Sequence, residues 1–316
     1  MAEETTGDKA KQIALEVLTH MQTLVCLLLL MLKGAVLALL PYSILPKKSV
    51  EGETVLITGA GGGFGCLLAT KFAKLGARLI LWDVSEDLME KTAKACRALG
   101  ADVKTYKVDL NDMENTYAVG EQTKRENGNI DILVNNAGII SGRAVTDLSD
   151  QQITRTMTIN AISHFWTVKL FLPSMLTRNH GHIVSVASAA GLLGAQFLTD
   201  YCASKFAAVG FFESLILELM KLNKTGIKGT IICPTFMDTG MFHGAKDMAF
   251  MPVMDPEYVA DLAMNAILTD TVVCAVPRMV YILNFIKSFM PVEAGRYLSR
   301  RLGVLDSMDD FRPKTN

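Results

Sequence analysis

The sequence predicts an α/β fold, a doubly wound parallel sheet carried behind an N-terminal membrane anchor. Three observations predict it. Short β-branched and aliphatic runs alternate with helical stretches long enough to serve as crossovers. A glycine-rich turn, TGAGGGFG at residues 58–65, stands between the first such run and the first such helix. And 316 residues can bury a complete α/β domain with chain to spare.

The N-terminal region differs in kind from the rest. Every residue from Leu24 to Leu32 is apolar, AVLALL follows Lys33 and Gly34, and Lys33 is the one charge between residues 21 and 46. A bilayer span needs roughly 20 mainly apolar residues, so the stretch is long enough. A cleaved signal peptide fits less well, because the apolar part starts about twenty residues in, behind the acidic AEETTGD. Lys47 and Lys48 favour a cytosolic domain, while Lys9 and Lys11 leave the topology open. Gly34 and Pro41 could break a straight helix, which keeps a hairpin or interfacial segment in play.

After the anchor, TVLI reads as a buried strand, and CLLATKFAKLGA as a helix with Leu67, Leu68, Phe72 and Leu75 at helical spacing and Gly76 as its stop. The turn between them offers backbone N–H groups and a helix N-terminus to a pyrophosphate. Its spacing is T-G-x-x-x-G-x-G, with Gly59, Gly63 and Gly65, not the G-x-G-x-x-G of the common dinucleotide fingerprint. The second strand, RLILWD, ends at Asp83, twenty positions beyond Gly63, where a carboxylate can bind both hydroxyls of an adenosine ribose. The third, VKTYKVDL, contains Asp109 near its end. Either acid by itself could equally be a helix N-cap; with the turn, they favour a cofactor.

The alternation continues. NIDILVNNAG is a strand entering a turn at Asn135, Asn136, Ala137 and Gly138. Residues 150–178 are helical, with Phe165, Trp166, Leu170 and Phe171 expected against the sheet. GHIVSVAS is the fifth strand, residues 201–222 a helix, GIKGTIICP the sixth strand and TVVCAVP the seventh. Residues 236–252 carry Met237, Met241, Phe242, Met248, Phe250 and Met251, either an adaptable apolar wall for a substrate or a loop folded over the core. MVYILNFIKSFMPV at 279–292 suits a membrane surface, the substrate mouth or a subunit contact. The expected organisation is a tail and anchor at 1–48, the α/β domain at 49–278 and an apolar segment and tail at 279–316.

Composition narrows the function. The formal net charge is −1, so no electrostatic case exists for nucleic acid. Six scattered cysteines without a CxxC pair suit a reducing compartment, not a disulfide framework or zinc ribbon. His180 and His182 are the closest histidine pair and have no acid-rich motif beside them in sequence, so no metal is expected.

Chemistry enters with YCASK. Tyr201 and Lys205 share a helix face at i, i+4. An ammonium beside the phenol, together with a cationic nicotinamide ring, would favour the phenolate, and the tyrosine could then exchange a proton with substrate while hydride moves to or from the cofactor. The same spacing is common on ordinary helix surface, so position decides. Ser188 lies thirteen residues earlier, just past a strand at the carboxyl edge of the sheet, where ligands of open α/β sheets bind. Ser185, within the strand, and Ser204, within the helix, are the weaker serine candidates.

TGAGGGFG, NNAG, the asparagine of MTIN, SAAG and YCASK, in this order, resemble the short-chain dehydrogenase/reductase family over residues 50–280. The resemblance implies a Rossmann-type fold with Asn160, Ser188, Tyr201 and Lys205 as catalytic tetrad, Asn160 holding a water that links Lys205 to a proton relay. It implies a cofactor held by Gly59, Gly63, Phe64, Gly65, Asp83, Asp109, Asn136, Ala137, Gly138, Tyr201, Lys205, Pro234 and Thr239. One departure stands out: after Pro234 the chain has Thr235 where members commonly have glycine.

Asp83 would repel the 2′-phosphate of NADP, and Gly61, Gly62 and Gly63 fill positions where NADP-preferring relatives often place a basic residue, so NAD is the expected cofactor and oxidation the expected direction. HFWTVKLFLP, NHGHIV, DYCASKFAAVGF and DTGMF resemble the membrane-associated retinol dehydrogenases and related 17-beta-hydroxysteroid dehydrogenases of endoplasmic reticulum and lipid droplets. That branch implies a lipophilic alcohol or ketone as substrate, all-trans-retinol before a steroid, and a membrane or droplet surface as partner, with homodimerisation open. Two other classes are carried alongside: a lipid-droplet scaffold and an NAD-sensing binding protein with little catalysis.

Overall fold

The computed structural model describes residues 6–39 and 44–311. The chain divides into two compact units, one ending at Pro46 and the other beginning at Lys47.

The first unit is helix α1, Thr6–Leu39. Its stretch Lys11–Gly34, 24 residues of mean hydropathy 1.9, is long and apolar enough to cross a membrane. At 1.5 Å per residue it spans about 36 Å, against a hydrocarbon core of roughly 30 Å. Leu24, Leu27, Leu28, Leu29, Leu30 and Leu32 are all exposed, so no protein core accounts for the composition. The helix runs through Gly34 without a break, contrary to the hairpin expectation there. Pro41 lies outside the described residues.

The second unit holds seven strands: β1 Thr54–Thr58, β2 Arg78–Asp83, β3 Val103–Lys107, β4 Ile132–Asn135, β5 Gly181–Val186, β6 Ile227–Pro234 and β7 Val273–Val276. Their order is β3-β2-β1-β4-β5-β6-β7 and every pairing is parallel. Burial on both faces explains why the central strands read as unbroken apolar runs instead of alternating ones. Along β1, Val55 and Ile57 face one core and Leu56 the other. Helices α2 Gly63–Lys74, α3 Glu86–Ala98 and α8 Pro256–Leu268 supply Leu68, Phe72, Met89, Ala93, Val259 and Ala263 to the first core. Helices α6 Ser163–Arg178 and α7 Thr199–Lys221 supply Leu170, Phe171, Met175, Leu215 and Leu219 to the second, with α4 Met113–Asn127 packed on α6.

Between α5, Asp150–Met157, and α6 the chain makes a π-helical turn, Thr158–Ile162. The buried stripe of α6 then falls on His164, Thr167, Val168, Leu170, Phe171 and Met175. Phe165, expected against the sheet, is one position off that stripe; it is half exposed and packs on Phe211 with ring centroids 4.3 Å apart.

The C-terminal part closes over the same unit. Helix α9, Met279–Lys287, buries Val280 against a cluster with Ile231 and Met251, while Ile282, Phe285 and Phe289 stay exposed. After α10, Val292–Arg301, the chain returns to residues 245–249 through Ala249 N–H to Leu302 O and Lys246 N–H to Ser307 O. Met308 then packs among Leu198, Tyr201, Phe236 and Phe242.

Candidate active site

A groove runs along the carboxyl ends of β1 to β6, where the strand order reverses between β1 and β4. One end of it is backbone. Gly59 has φ +65°, and a Cβ there would meet Ala137 Cα at 2.7 Å. A Cβ on Gly65 would meet the Gly59 carbonyl oxygen at 2.2 Å and Asn136 Nδ2 at 2.6 Å, so only glycine lets α2 approach β1 this closely. Gly63, with φ +44°, packs its α-carbon side against Thr239. The Asn136 amide locks the cradle from β4, donating to the carbonyls of Thr58 at 2.9 Å and Gly59 at 3.1 Å. The backbone N–H groups of Asn136 and Ala137 both donate to Thr58 Oγ1.

The acids lie at the outer end. Asp83 Oδ2 accepts from Gly61 N–H at 2.8 Å and Oδ1 from Ser85 N–H at 2.9 Å, which orients the carboxylate over the turn. Neither Asp83 nor Asp109 is a helix N-cap: Ser85 caps α3 and Asp112 caps α4. A side chain at Gly61 would meet Asp83 Cγ and Oδ2 at 3.0 Å and Met89 N at 2.9 Å, leaving no room there for a basic residue.

The opposite end holds the reactive groups. Tyr201 and Lys205 are 4% and 3% exposed, which removes the helix-surface reading of YxxxK. Lys205 Nζ donates to Val186 O at 2.9 Å and sits 5.7 Å from the Tyr201 ring centroid. Burial lowers the Lys205 ammonium to about 8, with Cys233 opposing. Burial also pushes the Tyr201 phenol well above its ordinary value, opposed by the Ser188 side chain. In the protein alone, then, desolvation outweighs the ammonium, and Tyr201 is a neutral phenol; the expected phenolate needs positive charge brought in by a ligand. Ser188 Oγ donates to Pro234 O at 3.3 Å and accepts from Ala190 N–H at 3.1 Å. The competing serines are engaged elsewhere: Ser185 Oγ pairs with His164 Nδ1, and Ser204 Oγ donates to Tyr201 O.

Asn160 is fully buried in the π-helical turn, a feature that recurs at functional sites. Its Oδ1 accepts from Ile139 N–H at 2.8 Å, and its Nδ2 donates to Ile139 O at 2.9 Å and Ser204 Oγ at 3.0 Å. A Cβ on Gly138 would lie 3.5 Å from both Asn160 Oδ1 and Lys205 Nζ, so the two side chains converge on that glycine. Asn160 and Gly65 do not themselves line the groove; the one ties the segment after β4 to α7 and the other seats α2. The remaining expected residues, Gly59, Gly63, Phe64, Asp83, Asp109, Asn136, Ala137, Gly138, Ser188, Tyr201, Lys205, Pro234 and Thr239, all line it.

Sequence reading missed several wall residues. Val84 and Ile139 lie one position past a recognised strand end or turn, Leu110 and Ala187 fall in the last two residues of their predicted strands, and the rule that ligands sit at carboxyl edges would have found them. Arg155 comes from α5, with no local signal. Of the methionine-rich loop, Met237, Met241 and Phe242 line the groove, while Met251 packs in the core and Phe250 is exposed, so both readings of that loop hold in part. The tertiary structure also gives His180 the acidic neighbours its sequence context lacks: Glu53, Asp131 and His180 offer ligand atoms within 4.8 Å of one another. Asp131 is already paired with Arg178 at 2.7 Å.

The sequence profile of the short chain dehydrogenase family matches residues 53–249. Epidermal retinol dehydrogenase 2 of Homo sapiens is similar, 43% identical over 284 residues that cover 89% of this chain and 91% of that protein. Retinol dehydrogenase 10 of Homo sapiens is 42% identical over 306 residues, 87% of this chain and 90% of that one. Among solved structures, a short chain dehydrogenase/reductase from Burkholderia phymatum in complex with NAD matches at TM-score 0.69 and 25% identity, covering 85% of this chain and all of that one. A metagenomic short-chain oxidoreductase in complex with NADP shares the fold at TM-score 0.61 and 23% identity, covering 72% of this chain and 97% of that one.

Proposed function

Because this chain belongs to the short-chain dehydrogenase family and is an oxidoreductase using a nicotinamide cofactor, we propose that it oxidises a lipophilic alcohol with NAD, all-trans-retinol to retinal, at a membrane. The carrying observation is the buried Tyr201–Lys205 pair beside Ser188 at one end of a groove whose other end is the glycine cradle and Asp83. The cradle fits a pyrophosphate, since its glycines bring backbone where any Cβ would collide. NAD over NADP is supported by the oriented Asp83 carboxylate and the lack of side-chain space at Gly61. Met237, Met241 and Phe242 on the wall support an apolar substrate, as do the names of the two human relatives. The apolar helix α1 supports membrane attachment, with the endoplasmic reticulum or lipid droplet as its site and Lys47 and Lys48 favouring a cytosolic domain.

In this reading Ser188 holds the substrate oxygen and Tyr201 takes the hydroxyl proton. NAD, which the glycine cradle and Asp83 would hold, would supply the hydride acceptor for oxidation of the alcohol to the carbonyl. Lys205, above the ring face, adds positive charge that favours the phenolate, and Asn160 keeps the Gly138–Ile139 segment and α7 in register. Removing the base should cost about 10²- to 10⁴-fold in rate. Reduced-cofactor formation is therefore compared in membranes carrying the wild type or Tyr201→Phe, with NAD or NADP and with all-trans-retinol or estradiol. Tyr201-dependent, NAD-dependent turnover of retinol is the expected result. Turnover of estradiol alone overturns the retinoid assignment, and equal rates in the variant overturn the mechanism.

A further inference from the structure

Helix α9 is apolar on two sides, and the described residues cover only one of them. On the inner side Val280 is fully buried, Leu283 packs on the same cluster, and Lys287 Nζ donates to Leu192 O at 2.8 Å. On the outer side Ile282, Phe285, Ile286 and Phe289 recur at i, i+3, i+4 and i+7, which makes one stripe. All four are exposed, Phe285 and Phe289 by 67% and 75%, and those two rings pack on each other with centroids 5.2 Å apart. A helix that faces water carries polar residues on that side. A contiguous exposed apolar stripe marks an interaction surface instead.

Helix α10 indicates what covers it. None of its residues is buried, and Arg296, Arg300 and Arg301 are exposed beside Val292 and Tyr297. Its one acid, Glu293, pairs with Arg296 at 2.8 Å. Residues 279–305 thus hold four basic side chains against one acidic, in a chain whose formal net charge is −1. Aromatic and aliphatic side chains next to arginines suit the interface of a bilayer with anionic headgroups. A second copy meeting this face through a two-fold axis would set arginines against arginines. The surface also joins the substrate end of the groove at both of its ends. Val280 of α9 clusters with Met251, and after α10 the chain returns through Ala249 N–H to Leu302 O and packs Met308 beside Tyr201 and Phe242. Resting on the membrane reading above, we infer that the outer stripe of α9 and the arginines of α10 dock the second unit on an anionic leaflet. Docking there holds the Tyr201 end of the groove near the lipid in which an apolar alcohol dissolves.

The full chain is reconstituted into vesicles of phosphatidylcholine with brominated acyl chains, with or without phosphatidylserine. Phe285→Trp reports lipid contact by fluorescence quenching, above the background of Trp82 and Trp166 in the wild type. Tyr258→Trp is the control, exposed on α8 at the opposite face of the sheet. We expect quenching in the Phe285→Trp chain when phosphatidylserine is present, and none beyond background in the Tyr258→Trp chain. Adding Arg296→Gln, Arg300→Gln and Arg301→Gln should weaken docking roughly 100-fold, from about fivefold for each arginine at an anionic surface, and abolish that quenching. Phe285→Ser with Phe289→Ser should raise the KM for an alcohol dissolved in the vesicles, leaving the unfolding midpoint and turnover of a water-soluble alcohol unchanged. Absence of quenching in a chain that stays in carbonate-washed vesicles would overturn docking. Equal quenching with and without phosphatidylserine would overturn the role of the arginines, and shielding that follows protein concentration would assign the face to a second copy. A wild-type chain that carbonate washes out would overturn the membrane reading itself, and this inference with it.

Discussion

Among the described residues, Lys205 carries its charge into a place where it donates to the carbonyl of Val186 and meets no carboxylate ion pair. Its ammonium falls from an ordinary 10.5 to about 8 by burial. Folding must therefore desolvate a group that is charged at neutral pH. Below pH 8 the folded and unfolded chains both hold the proton, and the penalty is complete; between 8 and 10.5 the unfolded chain binds more protons, so stability rises with pH. The difference corresponds to about 3 kcal/mol. Lys205→Met should accordingly lose turnover yet unfold several degrees higher than wild type at pH 7, the gap closing as pH rises past 8. Thermal scans of the cofactor-free protein at pH 7 and pH 10 read this directly. A variant less stable at both pH values would show that packing of the lysine stem, not its charge, dominates.

At the scale of one element, the junction of β1 and α2 sorts its glycines by what surrounds them. Gly62 has φ −131°, and a Cβ there meets nothing within 4 Å. Gly65 has no such space, with the Gly59 carbonyl at 2.2 Å. Gly65→Ala should push α2 off the sheet and lower stability by about 1–3 kcal/mol, the usual cost of overpacking. Gly62→Ala should leave the melting temperature of the ligand-free chain unchanged or slightly raised, because it restricts the unfolded chain without a clash. Differential scanning of the two variants separates them. The T-G-x-x-x-G-x-G spacing made these glycines legible as a group, yet it could not say that Gly65 serves packing while Gly59 and Gly63 face the groove. That distinction depends on Asn136, more than seventy residues along the chain, reaching across to the turn.

Across the whole molecule, the two ends of the chain play opposite parts. The apolar stretch within Lys11–Gly34 has no buried residue, whereas Ser307 and Met308 are 0% and 2% exposed. A fragment of residues 47–316 should thus unfold with the midpoint of the full chain and dissolve without detergent. A fragment of residues 47–278 loses Val280 and Met308 from two clusters, one of which includes Tyr201, and should neither melt cooperatively nor turn over substrate. Circular dichroism and activity on a water-soluble alcohol compare them. The expected boundary at 278 thus separates a change of composition; Met308 still belongs to the packing around Tyr201.

Local pattern was enough to identify the alternating α/β class, the glycine turn, the acid after β2 and the Tyr201–Lys205 face. Each is a feature of neighbours within a few residues, where helix and strand periods act directly on sequence. The folded chain alone decided that Lys205 lies desolvated over the phenol ring, that Phe165 turns away from the sheet and that Met308 packs beside Tyr201. It also decided that His180 meets Glu53 and Asp131, and that Thr235 lines the groove while its hydroxyl is buried without a partner among the described residues. Apart from Lys205 over Tyr201, these contacts join segments from dozens to more than a hundred residues apart. Strand order sets them by bringing those segments to one edge, and no short stretch of sequence contains that order.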